Sequence, residues 1–468
     1  MKNLHSFTND ALGKDDATAL AERIRKKEVS PLEVTQAAIA RANSVGEQLN
    51  AIEIKAFDEA VKTAESGKAV SGPFTGVPTF IKDNADLEGF PTRNGSRAFT
   101  PHTAKEHGKY TAQYLEQGFI YLGKSQMPEF GFNASTEFED DHPVLNPWHT
   151  EYSAGGSSGG SAALVAAGVV PIAHANDGGG SIRIPASCCG LVGLKPTRDR
   201  HRNNKSAEMM PLNIISEGVV TRSVRDTAAF HYGMERSWAN PKLKPIGFVE
   251  GPSARKLKIG LVYDSITGYK TCDETRESMQ HTAQILEKLG HFVEPVELKI
   301  PRSFISDFML YWSMLAFSMG IFGKFILGSD FQYERLDPFS KGLVEHYKRH
   351  LLDTPAALFR LFQSQGLYSK MMQPYDAVLT PVLGHSVPKL GHLKPEQSYE
   401  ELIAKLDKYV MFTPLNNASG SPAISLPLGS CANGLPIGMQ FMAAHGDEAT
   451  LLDIAYQLEA EMGFREIF

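Results

Sequence analysis

The chain has 468 residues, of which 42% are hydrophobic, and it carries a formal net charge of -6 at pH 7. This length and composition allow a large buried core and are typical of a globular protein. Lysine and arginine are spread along the chain without a run that could follow a phosphate backbone, so we expect no nucleic-acid partner.

The cysteines and the apolar segments predict where the chain resides. Its four cysteines lack a CxxC spacing, and Cys188 is adjacent to Cys189, which is typical of reduced thiols in the cytoplasm. The N-terminal MKNLHSFTND has no apolar stretch like that of a secretory signal. The most membrane-like segment, 308–323, is about 16 residues long and shorter than the ~20 residues of a spanning helix. We therefore expect a buried or substrate-facing helix there, and no stable membrane insertion.

The predicted elements alternate between helices and strands. The first clear helix begins with a capping box, formed by Ser30, Pro31 and Glu33. Helices are expected over 31–44, 161–167, 273–289 and 448–462, and over most of 303–372. Strands are expected over 77–81, 119–122, 169–173, 257–263, 292–296, 376–380, 423–426 and 437–442. No linker or break in composition divides them, so we predict one α/β domain over 1–468.

Two clusters of glycine and serine carry the clearest chemical signal. They read AGGSSGGS over 154–161 and NDGGGSIRIP over 176–185. So many glycines cost backbone entropy, which positive φ angles or close backbone approach would justify. Three glycines before Ser181 would let successive backbone N–H groups converge on one point, as in an oxyanion hole beside its nucleophile.

Three other interpretations of these clusters fit less well. A flexible linker would not run directly into an alanine-rich helix between apolar strands. A phosphate cradle needs a GxxxxGK[ST] or strand-GxGxxG-helix pattern, which the sequence lacks. The nucleophile elbow of α/β-hydrolases matches GxSxG at Ser157, but it requires a strand directly before the serine. The preceding segment 146–153 contains Pro147 and cannot form a central strand.

The motifs together resemble those of the amidase signature family. GGSSGGSAA, DGGGSIRIPAS and CGLVGLKPT are similar to its central segments, GVPTFIKDN to its lysine segment, and NASGSPAISLP and GLPIGMQ to its C-terminal segments. The resemblance runs from near residue 20 to the C-terminus and is weak between about 270 and 370. The family usually has threonine before the aspartate and a larger residue after it, whereas this chain has Asn176 and Gly178. That variant is similar to the branch that opens cyclic amide dimers of the nylon type.

This resemblance implies a fold and a reaction. The fold would be a large mixed β-sheet covered on both faces by α-helices, with the signature region over about 70–230 and a variable, substrate-shaping region over about 270–372. The reaction would be hydrolysis of a linear or cyclic carboxylic amide by a Ser-cisSer-Lys triad through an acyl-enzyme. Ser181 would be the nucleophile, Ser157 the bridging serine and Lys82 the base.

The chemistry of such a triad is coherent. A serine hydroxyl attacks well only when a base takes its proton, and a lysine can do so only when it is neutral. Apolar neighbours such as Phe80 and Ile81 would lower the pKa of Lys82 by desolvation. The resemblance further implies an oxyanion hole from the backbone N–H groups of Gly178, Gly179, Gly180 and Ser181. Supporting roles are expected for Ser158, Asp177 and Arg183.

The substrate pocket is expected between the segment after Met127 and the apolar part of the variable region. Its predicted contacts are Phe130, Gly131, Asn133, Trp312 and Phe317. They favour an uncharged, fairly hydrophobic small-molecule amide, although core packing also accounts for the apolar ones. No cofactor and no metal are expected, because the histidines show no metal-binding spacing. The oligomeric state stays open, with a homodimer as one option.

Two other functions remain open from the sequence. The same family includes the A-type subunit of glutamyl-tRNA amidotransferase, which releases ammonia from glutamine, but the apolar variable region fits that role poorly. From a different class, the chain could be a catalytically silent binding protein. The presence of Lys82, Ser157 and Ser181 together argues against this.

Overall fold

The computed structural model describes residues 3–67, 70–139 and 141–468. These residues form eleven β-strands in two sheets. The strands, numbered β1 to β11 in chain order, are Ile52–Lys55, Pro78–Lys82, Ile120–Ser125, Ile172–Asp177, Val192–Lys195, Ser216–Thr221, Lys258–Leu261, Phe292–Pro295, Ala377–Pro381, Ala423–Ser430 and Pro436–Ala443.

The larger sheet has eight strands in the order β4-β6-β5-β10-β11-β9-β7-β8. Strand β7 pairs in parallel with β8 and β9, and the other pairs are antiparallel, so the sheet is mixed. All residues of β4, β5, β6, β9 and β11 are buried, which requires cover on both faces. The predicted α/β fold with a large mixed sheet flanked by helices is confirmed.

The described residues also form sixteen α-helices. In chain order, α1 to α16 are Ala17–Arg25, Pro31–Leu49, Phe57–Ser66, Lys109–Leu115, Gly159–Ala166, Arg183–Cys189, Lys205–Glu208, Val224–Ser237, Asp273–Lys288, Ser303–Ile326, Pro338–His350, Thr354–Phe362, Ser364–Met372, Tyr399–Tyr409, Pro414–Ser419 and Glu448–Met462. Helix α2 begins with the predicted capping box of Ser30 and Glu33 and ends at Asn50, which adopts the left-handed conformation that closes many helices.

Helix α10 contains the apolar segment 308–323 and extends beyond it at both ends. It is 24 residues long, and by length and composition alone it could cross a membrane. Of its most apolar stretch of 18 residues, 39% is buried inside the protein. Its first half packs into the protein, where Asp307 pairs with Arg360 at 2.5 Å. Its last turns leave Phe322 and Phe325 exposed. The expectation of a buried or substrate-facing helix over 308–323 is therefore wrong for its last turn, where Ile321 and Phe322 are exposed.

The smaller sheet, in the order β1-β3-β2, places the lysine segment against the larger sheet. Strand β2 ends at Lys82, and Thr79 within it donates a hydrogen bond to the carbonyl of Ile172 in β4, at 2.9 Å. Because β2 and β4 lie side by side, the ends of both strands meet at one place. The second glycine-serine cluster begins at the end of β4, and Ser157 of the first cluster contacts Lys82. The fold therefore brings all three predicted motifs together.

Candidate active site

Lys82 is the fully buried last residue of β2. Its Nζ lies 2.7 Å from Ser157 Oγ and 2.7 Å from Asn176 Oδ1. Its backbone N–H donates to His174 Nδ1 at 3.1 Å, and His174 Nε2 lies 3.0 Å from Glu217. The amine is thus held between one hydroxyl and one amide oxygen, away from the solvent that would otherwise stabilise a positive charge.

Burial lowers the pKa of Lys82 to about 7, although the charges of Glu217 and Asp177 act in the opposite direction. The physical cause is desolvation, which disfavours the charged ammonium. Near neutral pH a substantial fraction of Lys82 is therefore uncharged. A neutral amine has one lone pair that can accept the hydroxyl proton of Ser157, while one of its N–H groups donates to Asn176.

Ser157 follows Gly156 through a cis peptide bond. A Cβ atom on Gly131 would lie 3.0 Å from Ser157 Oγ, so a glycine there leaves room for the hydroxyl. The neighbouring Ser158 donates instead to the carbonyl of Asn176, at 3.3 Å, which makes it a structural partner of the same segment.

Asp177 and Arg183 form a buried ion pair at the end of β4. Arg183 donates to both carboxylate oxygens, at 2.9 and 2.8 Å. Burial alone would raise the pKa of Asp177, but Arg183 and the further donor Asn417 lower it to about 2. The carboxylate therefore stays ionised and fixes the glycine loop, because Gly180 donates its backbone N–H to it at 2.8 Å.

This last contact corrects the expected set of oxyanion donors. The N–H of Gly180 points at Asp177 and is occupied. Among the residues that the structure describes, the N–H groups of Gly178, Gly179 and Ser181 make no hydrogen bond. Thr413 donates to the carbonyl of Gly179 at 2.6 Å and holds the other side of the loop. Three of the four predicted donors are consequently available to a ligand.

Ser181 lies on the wall of a cavity that opens beside this loop, with an empty volume of about 1030 Å³ including its mouth. Within the described part of the chain, its Oγ forms no hydrogen bond. Of the two contacts in the predicted relay, the described residues therefore form the one between Lys82 and Ser157. The cavity is mostly apolar, and its lining includes Phe132, Ile184, Leu298, Ile300, Phe304, Phe308, Trp312, Phe339, Met411 and Phe412.

The predicted substrate contacts divide into two groups. Gly131, Asn133 and Trp312 line the cavity. Phe130 and Phe317 are not among its lining residues in the described chain, which corrects the expectation for both. Phe130 stacks on Phe99, and Phe317 packs against Tyr347, because each ring is directed into a separate apolar cluster.

Sequence reasoning missed several residues of the site. In the sequence Asn176 is only a departure from the family pattern, yet it contacts the amine of Lys82. The segments 265–267 and 406–415 also line the cavity and carried no recognisable motif. Across the part of the chain that is described, no group of three or more histidine, cysteine, aspartate or glutamate side chains is arranged to hold a metal ion.

Comparison with known proteins agrees with this geometry. The sequence profile of the Amidase family matches residues 33–452. A relative from Mycobacterium leprae named "Putative amidase AmiC" is 47% identical over 461 residues, covering 98% of this chain and 97% of that protein. The 6-aminohexanoate-cyclic-dimer hydrolase of a Pseudomonas species is 33% identical, covering 96% of this chain and 94% of that one.

Solved structures show the same likeness. A 6-aminohexanoate cyclic dimer hydrolase complexed with substrate superimposes with a TM-score of 0.85 at 29% identity, covering 96% of this chain and 97% of that one. A bacterial aryl acylamidase of the amidase signature family gives a TM-score of 0.83 at 26% identity, covering 95% and 96%. The chain therefore belongs to the amidase signature family, and it is an amidohydrolase that acts on C–N bonds other than peptide bonds.

Proposed function

We propose that this protein hydrolyses amides of small, largely apolar molecules through an acyl-enzyme on Ser181. The observation that carries the proposal is the buried amine of Lys82, which has a pKa of about 7 and lies 2.7 Å from Ser157 Oγ. A lysine in this state is neutral in a substantial fraction of the molecules at neutral pH and can then act as a base. It supplies the base that a serine nucleophile needs, and no histidine lines the cavity among the described residues.

The first half of the reaction adds Ser181 to the amide carbonyl. Lys82 takes the proton of Ser157, Ser157 takes the proton of Ser181, and Ser181 Oγ attacks the amide carbonyl. The negative charge on the carbonyl oxygen is stabilised by the free N–H groups of Gly178, Gly179 and Ser181. The ion pair of Asp177 with Arg183 supports this step by fixing the loop that carries them.

The second half releases the two products. The proton held on Lys82 returns through Ser157 to the leaving amine, which departs as the C–N bond breaks. Water then attacks the ester on Ser181 and gives up a proton to the same relay. The relay returns this proton to Ser181 Oγ as the ester C–O bond breaks and the carboxylic acid leaves. Each proton that is taken up by the relay is later returned through it, so the reaction requires no cofactor.

The lining of the cavity favours apolar amides. Trp312 lies over the glycine loop, within 3.7 Å of the positions that Cβ atoms of Gly178 and Gly179 would take. Asn133 lines the cavity and uses its amide N–H on Leu393, at 2.7 Å. Its buried Oδ1 has no hydrogen-bond partner in the described chain. Relatives that open a cyclic amide dimer fit this class, and both linear and cyclic amides remain candidates.

Two alternatives are less well supported. The A-type subunit of the glutamyl-tRNA(Gln) amidotransferase of Halothermothrix orenii is 30% identical to the chain, but glutamine is a charged, polar substrate and the cavity is mostly apolar. Release of ammonia from glutamine at a rate above that of apolar amides would favour this alternative. A silent binding protein would not be labelled at Ser181 by a fluorophosphonate, whereas the proposed enzyme would be.

The decisive experiment is a screen of apolar amides with the wild type, Ser181→Ala and Lys82→Ala. We expect turnover by the wild type, background activity for Ser181→Ala, and a loss of about 10²–10⁴-fold for Lys82→Ala. Full activity of Lys82→Ala would refute the relay.

We also propose a cytoplasmic location, since all four cysteines are free thiols.

A further inference from the structure

The cavity beside Ser181 contains a charged side chain in an otherwise neutral wall. In the described part of the chain, Asp407 is the single charged residue among those that line it. It belongs to α14, next to the lining residues Leu406 and Val410. The two lysines beside it are engaged elsewhere, Lys405 with Gln397 and Lys408 over the ring of Tyr269.

Asp407 is half-buried and differs from several buried carboxylates that have a cationic partner. Asp83, Asp177 and Asp307 each pair with a lysine or arginine within 4 Å. Within the described residues, no cationic nitrogen lies within this distance of Asp407, and no donor forms a hydrogen bond to it. Burial raises the pKa of its carboxyl, and no neighbouring group offsets this.

The position of Asp407 in its helix is unfavourable for a carboxylate. It stands in the last turn of α14, where exposed carbonyls make a negative charge unfavourable. A carboxylate that is partly removed from water without a partner costs free energy as well. An apolar side chain would suit both the helix and the cavity wall better, so the carboxylate is best explained by a ligand.

We propose that Asp407 determines specificity by binding a positively charged group of the substrate. The substrate would be an amide whose apolar chain ends in an ammonium, with the chain along the apolar wall, the ammonium at Asp407 and the amide at Ser181. This proposal rests on the proposed amide hydrolysis and narrows its substrate class. A charge-assisted hydrogen bond in an apolar cavity is strong, because little water competes for either partner.

The first test measures discrimination in turnover. The p-nitroanilides of ω-amino acids of about four to eight carbons are compared with neutral alkanoyl anilides of the same length. We expect kcat/KM of the wild type to favour the best cationic substrate by about tenfold or more over its neutral match. Asp407→Asn should abolish this ratio, while Glu400→Gln, a change of an exposed carboxylate on the same helix, should keep it. A ratio near one in the wild type, or an unchanged ratio in Asp407→Asn, would overturn the proposal.

A second test separates this proposal from amide hydrolysis itself. Calorimetry with the Ser181→Ala protein compares binding of hexylamine, which is cationic at pH 7, with binding of hexanol. We expect hexylamine to bind about tenfold more tightly, and the advantage to disappear when Asp407→Asn is added. Equal binding of the two probes would count against Asp407. Tight binding of hexylamine with no turnover of any anilide would instead count against the hydrolytic function alone.

Discussion

At the scale of single residues, the protonation of Lys82 should determine the pH at which the proposed relay works. Below its pKa of about 7 the amine is protonated and cannot accept a proton from Ser157, and above it the amine is neutral. We therefore expect kcat/KM for a neutral amide to rise with pH through about 7 and to level off above it. Assays at a series of pH values, within the range in which the enzyme stays folded, measure this rise in kcat/KM.

Asn176 allows the origin of that rise to be tested. Its Oδ1 lies 2.7 Å from Lys82 Nζ, so Asn176→Asp would place a negative charge against the amine and favour its charged form. The midpoint of the rise should move up by about 1–3 pH units. The matched control is Asn433→Asp, which changes an exposed residue in the turn between β10 and β11. This substitution should not change the midpoint. The same midpoint in both variants would show that another group titrates.

Part of this site follows from the sequence, because glycine-rich loops and a lysine segment leave recognisable patterns. Lys82, Ser157 and Ser181 lie in such segments. Asn176 and Asp407 do not have a pattern of their own, since an asparagine or an aspartate becomes significant only through what it faces. The contact of Asn176 with Lys82 joins residues 94 positions apart, and no local rule predicts it.

At the scale of secondary structure, helix α5 carries the first glycine cluster against the smaller sheet. A Cβ atom at Gly160 would lie 2.6 Å from the backbone of Gln126 and 2.7 Å from the carbonyl of Ala51. Backbone atoms cannot move aside cheaply, so Gly160→Ala should lower the free energy of unfolding by about 1–3 kcal/mol. Urea denaturation with an unchanged m-value would measure it.

Gly366 in α13 provides the opposite case. It is exposed, and a Cβ atom there meets nothing within 4 Å. Gly366→Ala should therefore raise the free energy of unfolding by about 0.5–1 kcal/mol, because alanine is the better helix former. Equal effects of the two substitutions would mean that packing of α5 is not what requires glycine at position 160.

Local signals predicted some elements well and others poorly. Helix α16 has the predicted bounds, Glu448–Met462, because Asp447 caps it and glycine follows it. The strand expected over 169–173 instead begins at Ile172, since Pro171 lacks the N–H that a strand interior needs. Strands β1, β5 and β6 were missed, because each depends on pairing with strands that are distant in the sequence.

At the scale of the whole molecule, a buried polar network joins the middle of the chain to its end. Arg183 donates to Gln440 at 2.6 Å and to Asn417 at 2.7 Å, in addition to its pair with Asp177. Asn417 in turn donates to Asp177 at 2.8 Å. The separate sequence motifs are thus parts of one site, which explains why they occur in the same chain.

This network predicts how stability responds to the loss of Arg183. Arg183→Met would leave the carboxylate of Asp177 buried without a cation, which should cost about 3–5 kcal/mol of the free energy of unfolding at pH 7. Lys288→Met breaks an exposed pair with Glu461 and should cost less than about 1 kcal/mol. Chemical denaturation of the three proteins gives the comparison.

The pH dependence of this loss provides the sharper measurement. In the wild type the pKa of Asp177 lies at about 2, below its usual value, so its ionised form stabilises the fold above about pH 4, and this is lost as the pH falls towards 2. In Arg183→Met burial would raise the same pKa, so the penalty exists above about pH 4 and disappears on protonation. The difference between the two proteins should therefore be largest at neutral pH and shrink in acid. A difference that stays constant from pH 7 to below 4 would assign the effect of Arg183 to its packing and not to its charge.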